Sequence, residues 1–159
     1  MGNPNYGKEF ENIVKQAFLK IDGVSIDRLH DQMSGYVGSK NSCDFIVYKK
    51  PYEIYIECKS VRGTTLPFKN VTDNQWNGLL EKSKIKGVKA GVLVWFIDYD
   101  VTMFIPIQFL QHMKENGFKS IKPDPFVLPP YKVIFIDGKK KRVFFDYDFT
   151  NFFEEVAEL

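Results

Sequence analysis

The run AGVLVWFI, Ala90 to Ile97, constrains this chain more than any other stretch. It is apolar throughout and far too short to span a bilayer, so it reads as a central strand covered on both faces, with VTMFIP (101–106) beside it. Helical periodicity supplies the covering layers. Phe10, Ile13, Val14, Ala17 and Phe18 recur at three- and four-residue spacing and predict an amphipathic helix over about 4–20, with Asn3 as cap and Pro4 as its first residue. Thr72 and Gln75 match a capping box ahead of Trp76, Leu79 and Leu80, which predicts a second helix over 73–84. A third spans 107–116 and closes at Gly117, and Phe149, Phe152, Phe153 and Val156 mark a short last helix. Val24 to Leu29 reads as a strand, 42–60 and 132–145 as hairpins, and the proline-rich 121–131 as neither.

With 159 residues and 44% hydrophobic content, one sizeable core and a single domain over 1–159 are expected. Within it, the polar, Gly-rich 31–43 reads as a mobile loop or short stalk and 118–159 as a C-terminal extension. Twenty-two basic against 20 acidic residues leave a net charge of +2, so any face for a polyanion must be local. The first residues lack a signal-peptide layout and no apolar run suits a membrane span, so a cytoplasmic, soluble protein is expected. Two cysteines, Cys43 and Cys58, exclude a disulfide framework and a four-thiolate zinc site.

The first hairpin, SCDFIVYKKPYEIYIECKS, carries acids where a half-buried strand has room for apolar residues. If 49–52 form its turn, paired residues sum to 101, so Asp44 opposes Glu57 while Ile54, Ile56 and Cys58 point to the core. Opposed residues stand about 4.5–5.5 Å apart at Cβ, and like charges there repel unless a cation lies between them. Lys59 is on the Glu57 side, roughly 6.5 Å further along the strand. Mg²⁺ asks for one or two carboxylates and keeps several waters, a requirement that Asp44, Glu57 and the Cys58 carbonyl meet, with Lys59 placed to orient or deprotonate a water. The plainer reading makes Glu57 and Lys59 solubilising charges on an exposed sheet edge and Asp44 a strand opener. In the same register Cys43 and Cys58 oppose each other on the core side, close enough for oxidative cross-linking.

The order helix, strand, Asp-bearing strand, Glu-x-Lys strand, helix, strand resembles the PD-(D/E)XK, or restriction-endonuclease-like, nuclease core. More closely the chain is similar to RecU-type Holliday junction resolvases and their phage relatives. The carrying residues are Gly7, Phe10 and Glu11; Cys43-Asp44-Phe45; Glu57-Cys58-Lys59-Ser60; Thr65-Leu66-Pro67-Phe68; and Asn74-Gln75, all within 7–97. The resemblance implies an α/β fold with a mixed central β-sheet flanked by α-helices. It also implies a Mg²⁺- or Mn²⁺-dependent homodimeric endonuclease that resolves four-way DNA junctions, with Asp44, Glu57 and Lys59 as its catalytic set. Asn74 stands where the family usually has His, and Met33–Asn41 is shorter than the stalk of cellular members.

Further candidates surround that set. Glu11, at the margin of the first helix's apolar stripe, is a candidate ligand for metal or water or an ordinary surface acid. Gln75 is a candidate catalytic residue or only a cap. Lys40, Thr64, Thr65 and the run Lys139, Lys140, Lys141, Arg142 are candidate DNA contacts, the run being otherwise a solvated hairpin turn. His30 and His112 have no partner triad and read as structural. Fifteen Phe leave material for a dimer surface, at FIPIQFL (104–110) or around Phe126 to Tyr131. Two other functions fit the same residues: a restriction-like or replication-fork endonuclease, and a DNA-binding module without catalysis.

Overall fold

The computed structural model describes residues 5–29, 41–124 and 130–159. In chain order the elements are α1 (Tyr6–Leu19), β1 (Ser25–Arg28), β2 (Phe45–Lys49), β3 (Tyr52–Val61), β4 (Leu66–Pro67), α2 (Asp73–Ser83) and β5 (Val88–Phe96). There follow β6 (Val101–Pro106), α3 (Ile107–Glu115), β7 (Ser120–Ile121), β8 (Ile134–Phe135), β9 (Asp137–Lys140), β10 (Phe145–Asp148) and α4 (Thr150–Val156). Six strands form the central sheet in the order β1-β2-β3-β5-β6-β8. Among the described residues β3 and β5 are the one parallel pair, joined through the α2 crossover, so the sheet is mixed as expected.

The apolar run at 90–97 forms most of β5, and its residues divide between two buried clusters. Leu93 and Trp95 join Phe10, Val14 and Phe18 of α1, Phe45, Val47, Ile54, Ile56 and Cys58 of the hairpin, and Phe149, Phe152 and Val156. Val92, Val94 and Phe96 join Trp76 and Leu79 of α2 and Ile107, Phe109 and Leu110 of α3. Each fully buried aromatic or aliphatic side chain contributes about 1.5–3 kcal/mol, so both layers are needed to cover the sheet. Residues 134–156 belong to this construction: β8 pairs with β6, and α4 packs beneath α1, with Phe18 and Phe149 stacked at 4.0 Å.

Three local expectations are corrected. α1 starts at Tyr6, because the Asn5 side chain accepts the Lys8 amide at 3.1 Å and so satisfies a donor of the first turn. Cys43 and Cys58 are both buried but do not share a core face: Cys43 packs with the α2–α3 cluster and Cys58 with the α1 cluster. β2 begins only at Phe45, so strict alternation does not extend back through Asp44 to Cys43. Finally, Phe104, Ile105, Ile107, Phe109 and Leu110 are at most 4% exposed, so FIPIQFL is core and offers no dimer surface. The other region named for that role lies largely outside the described residues, which include only Pro130 and Tyr131 of it.

Candidate active site

The β2–β3 pairing has the expected register, Tyr48 opposite Glu53, Ile46 opposite Tyr55 and Phe45 opposite Ile56. The register ends there: the Asp44 amide donates to the Ile56 carbonyl at 3.0 Å, one residue off the expected pairing with Glu57, so Asp44 comes beside Glu57 without being its register partner. Two more bonds fix the residue: the Leu29 amide donates to its carbonyl at 2.8 Å, and the Cys58 amide to its Oδ2 at 2.8 Å. Backbone N–H and C=O of one strand residue point to the same side, so the Cys58 carbonyl is also turned toward Asp44.

Glu57 is 3% exposed, with β5 alongside and the α2–α3 layer over its face of the sheet. That excludes the solubilising role. Burial pushes its carboxyl well above the usual carboxylate range, the Asp44 carboxyl within hydrogen-bonding reach adds to the rise, and Lys59 offsets part of it. Among the described residues no donor reaches Glu57 Oε2, which is buried. An orphaned carboxylate oxygen beside a second carboxylate fits a hard divalent cation, which answers both the unfilled oxygen and the repulsion. No group of three or more His, Cys, Asp or Glu side chains suited to a metal occurs among the described residues.

Glu11 is half-buried and held by Arg28, whose Nη2 donates to Oε2 at 2.5 Å. Burial and then the charge of Asp44 raise its carboxyl, against the lowering by Arg28, so Glu11 borders the site electrostatically. Sequence reasoning missed Arg28, since no spacing rule joins a strand end to a helix 17 residues earlier; the pairing of Arg28 with Phe45, next to Asp44, is what brings it in. Gln75 completes the capping box: its Oε1 accepts the Thr72 amide at 3.0 Å and its own amide donates to Thr72 Oγ1 at 3.2 Å.

Thr64 is exposed and Thr65 half-buried in the loop after β3. Asp98 fastens that loop, accepting from Arg62 Nη1 at 2.8 Å and from the amide of Gly63 at 2.7 Å, where φ is +84°. Lys139 and Lys140 lie on β9, and Lys141 and Arg142 in the turn before β10, all exposed. Lys140 Nζ binds both Asp100 oxygens, at 3.0 and 2.8 Å. Lys40 and His30 lie outside the described residues, and His112 stacks on Tyr131 at 4.7 Å. A groove of about 960 Å³ runs beside the start of α2, with Phe68, Lys69, Trp76, Lys114, Phe118 and Lys119 in its lining; Asp44, Glu57 and Lys59 are not part of it.

A mixed sheet flanked by helices, with an Asp before one central strand and Glu-x-Lys on the next, defines the restriction-endonuclease-like fold class. The structure is similar to Hjc, a Holliday junction resolvase from the archaeal hyperthermophile Archaeoglobus fulgidus. The TM-score is 0.50 at 21% identity, covering 72% of this chain and 84% of that one. Within the class, this chain belongs to the Recombination protein U (RecU) family, which matches residues 2–140. No curated protein sequence matches it. Among the described residues no helix is long and apolar enough to cross a membrane.

Proposed function

We propose that this protein is a Mg²⁺-dependent, or Mn²⁺-dependent, structure-selective DNA endonuclease that resolves four-way Holliday junctions by paired nicks, acting in the cytoplasm as a homodimer. Family membership supports the substrate. The observation that carries the chemistry is the buried Glu57 carboxyl beside Asp44, with an oxygen that no donor of the described residues answers.

Asp44, Glu57 and the Cys58 carbonyl would hold the cation, which would supply water activation and charge stabilisation at the scissile phosphate. The Cys58 amide orients the Asp44 carboxylate through its bond to Oδ2, and Glu57 gives up its proton as the site fills. Lys59, two residues along the same face, directs the attacking water and stabilises charge that develops on phosphate. The loop that Asp98 fastens presents Thr64 and Thr65 to the DNA backbone, and the exposed basic turn adds phosphate contacts. Each chain supplies one Asp44–Glu57–Lys59 set, so a two-fold dimer matches the two symmetric cuts of a junction.

The test is cleavage of labelled four-way junction, replication fork and linear duplex, each with and without Mg²⁺. Paired, Mg²⁺-dependent nicks on the junction above the other substrates are expected. Preference for fork or linear duplex points to a fork or restriction-like endonuclease, and binding without cutting points to a non-catalytic module.

A further inference from the structure

α2 approaches the segment leading to Asp44 more closely than a side chain at its midpoint allows. A Cβ added at Gly78 would stand 2.2 Å from Ser42 Cβ, 2.9 Å from Ser42 Oγ and 3.6 Å from Ser42 Cα. The nearest of these atoms cannot rotate away, since Cβ is fixed by the backbone. An alanine at 78 must therefore displace either the helix or the chain around Ser42.

The helix is poorly placed to yield. Trp76 and Leu79 are buried at 3% and 0%, and the Thr72–Gln75 capping box holds the first turn. The chain around Ser42 is short and tied at both ends: the Asn74 side-chain amide donates to the Asn41 carbonyl at 3.3 Å, and Cys43 is buried with its thiol directed at the Phe45 carbonyl. Asp44 follows directly. Among the described residues its hydrogen bonds come from the β1 and β3 side, so the contact with α2 bounds its segment from the helix side. Glycine is a poor residue for mid-helix, and this close approach gives it a reason.

We propose that Gly78 is a positioning residue for the metal site: by letting α2 close on Ser42, it sets where Asp44 stands relative to Glu57. This rests on the assignment of Asp44 and Glu57 as metal ligands. The test is a cycle of Gly78→Ala, Ser42→Gly and the pair, since Ser42→Gly removes the atom that an alanine at 78 would strike. Three quantities are read: the rise in melting temperature on adding Mn²⁺ without DNA, the Mg²⁺ concentration for half-maximal junction cleavage, and junction binding in EDTA.

Gly78→Ala is expected to raise the Mg²⁺ requirement about tenfold or more and to shrink the Mn²⁺-induced melting shift, as for residues that orient metal ligands, while binding in EDTA is retained. The pair should return to the values of Ser42→Gly alone. Wild-type metal dependence in Gly78→Ala would overturn the proposal, and so would a pair no better than Gly78→Ala. If Gly78→Ala does not fold, the pair is compared with Ser42→Gly: matched Mn²⁺ shifts support the proposal and a smaller shift in the pair contradicts it. A wild type with neither a Mn²⁺ shift nor Mg²⁺-dependent cutting would instead overturn the metal-site assignment itself.

Discussion

Two pairs of acids meet at hairpins in this protein, and their surroundings treat them in opposite ways. Asp137 and Asp148 are register partners in β9–β10, and both are exposed. Asp137 accepts from Asn151 Nδ2 at 3.1 Å, while Asp148 Oδ1 accepts from the Thr150 hydroxyl and amide at 2.6 and 2.9 Å, bonds that hold its carboxyl below the usual range. Asp44 and Glu57 meet side by side where the β2–β3 pairing ends, but Glu57 is sheltered from water, no donor of the described residues reaches its Oε2, and its carboxyl is pushed up. Neighbouring acids alone therefore say little. Neighbouring acids without water or donors are stable only if one keeps its proton or a cation joins them.

The largest expected effect separates the two pairs. Asp44→Asn or Glu57→Gln should lower Mg²⁺-dependent junction cleavage by about 100-fold or more, with metal-free junction binding kept, since each removes a ligand charge at nearly constant volume. Asp137→Asn and Asp148→Asn should leave the rate within about twofold, as surface changes usually do. A Glu57→Gln protein that cuts at the wild-type rate would break the comparison. Lys59→Ala comes next, with a loss on the order of 100-fold in cleavage but an unchanged Mn²⁺-induced melting shift. If that shift also vanishes, Lys59 supports the site's structure and its chemical role is refuted.

Stability in EDTA sharpens the contrast. Burial, and then the neighbouring Asp44 carboxyl, raise Glu57 well above the ordinary 4.5, so in the window between the ordinary and the raised value folding takes up a proton. Metal-free wild type should accordingly lose stability as pH rises through that window. Glu57→Gln should flatten this dependence and raise the melting temperature at pH 7, by about 2–4 °C for each kcal/mol relieved. Asp148→Ala should do the reverse, lowering stability by about 0.5 kcal/mol as its bonds at the start of α4 disappear. Thermal melts across pH read both, and a steeper pH dependence in Glu57→Gln would contradict the assignment.

The smallest effect concerns the basic run. Replacing Lys141 and Arg142 with Gln should lower the salt slope of junction binding by about 0.9 for each phosphate that the pair neutralises. Lys140→Gln should hardly move it, because Asp100 occupies that ammonium. Anisotropy titrations at several salt concentrations decide; equal slopes for both variants would remove the turn from the DNA interface.

Much of this was legible in the sequence because short-range rules govern it. The Lys-Lys-Pro-Tyr turn and the alternation after it set the register of β2 and β3, and the Thr72–Gln75 spacing marked the start of α2. The burial of Glu57 was not legible, since it depends on β5 and the α2–α3 layer, which no spacing in the hairpin encodes. The error at Cys43 has a related cause: alternation holds only while the ladder lasts, and the strand begins after Asp44. Arg28 was missed because its ion pair joins two elements, and β4 and β7 because two residues carry no period; the hairpin expected over 132–145 instead gives β8 to the central sheet and forms between β9 and β10. Gly78 has the sequence signature of an ordinary helical glycine, and only the approach of Ser42 in three dimensions distinguishes it.

Anomalous diffraction from crystals soaked in Mn²⁺ shows whether Glu57 and Asp44 share a divalent cation. A peak is expected between the two carboxyl groups within bonding distance of Glu57 Oε2, absent from Glu57→Gln crystals. A wild-type protein that cuts junctions with Mn²⁺ yet shows its anomalous peak away from both carboxylates would contradict the shared cation.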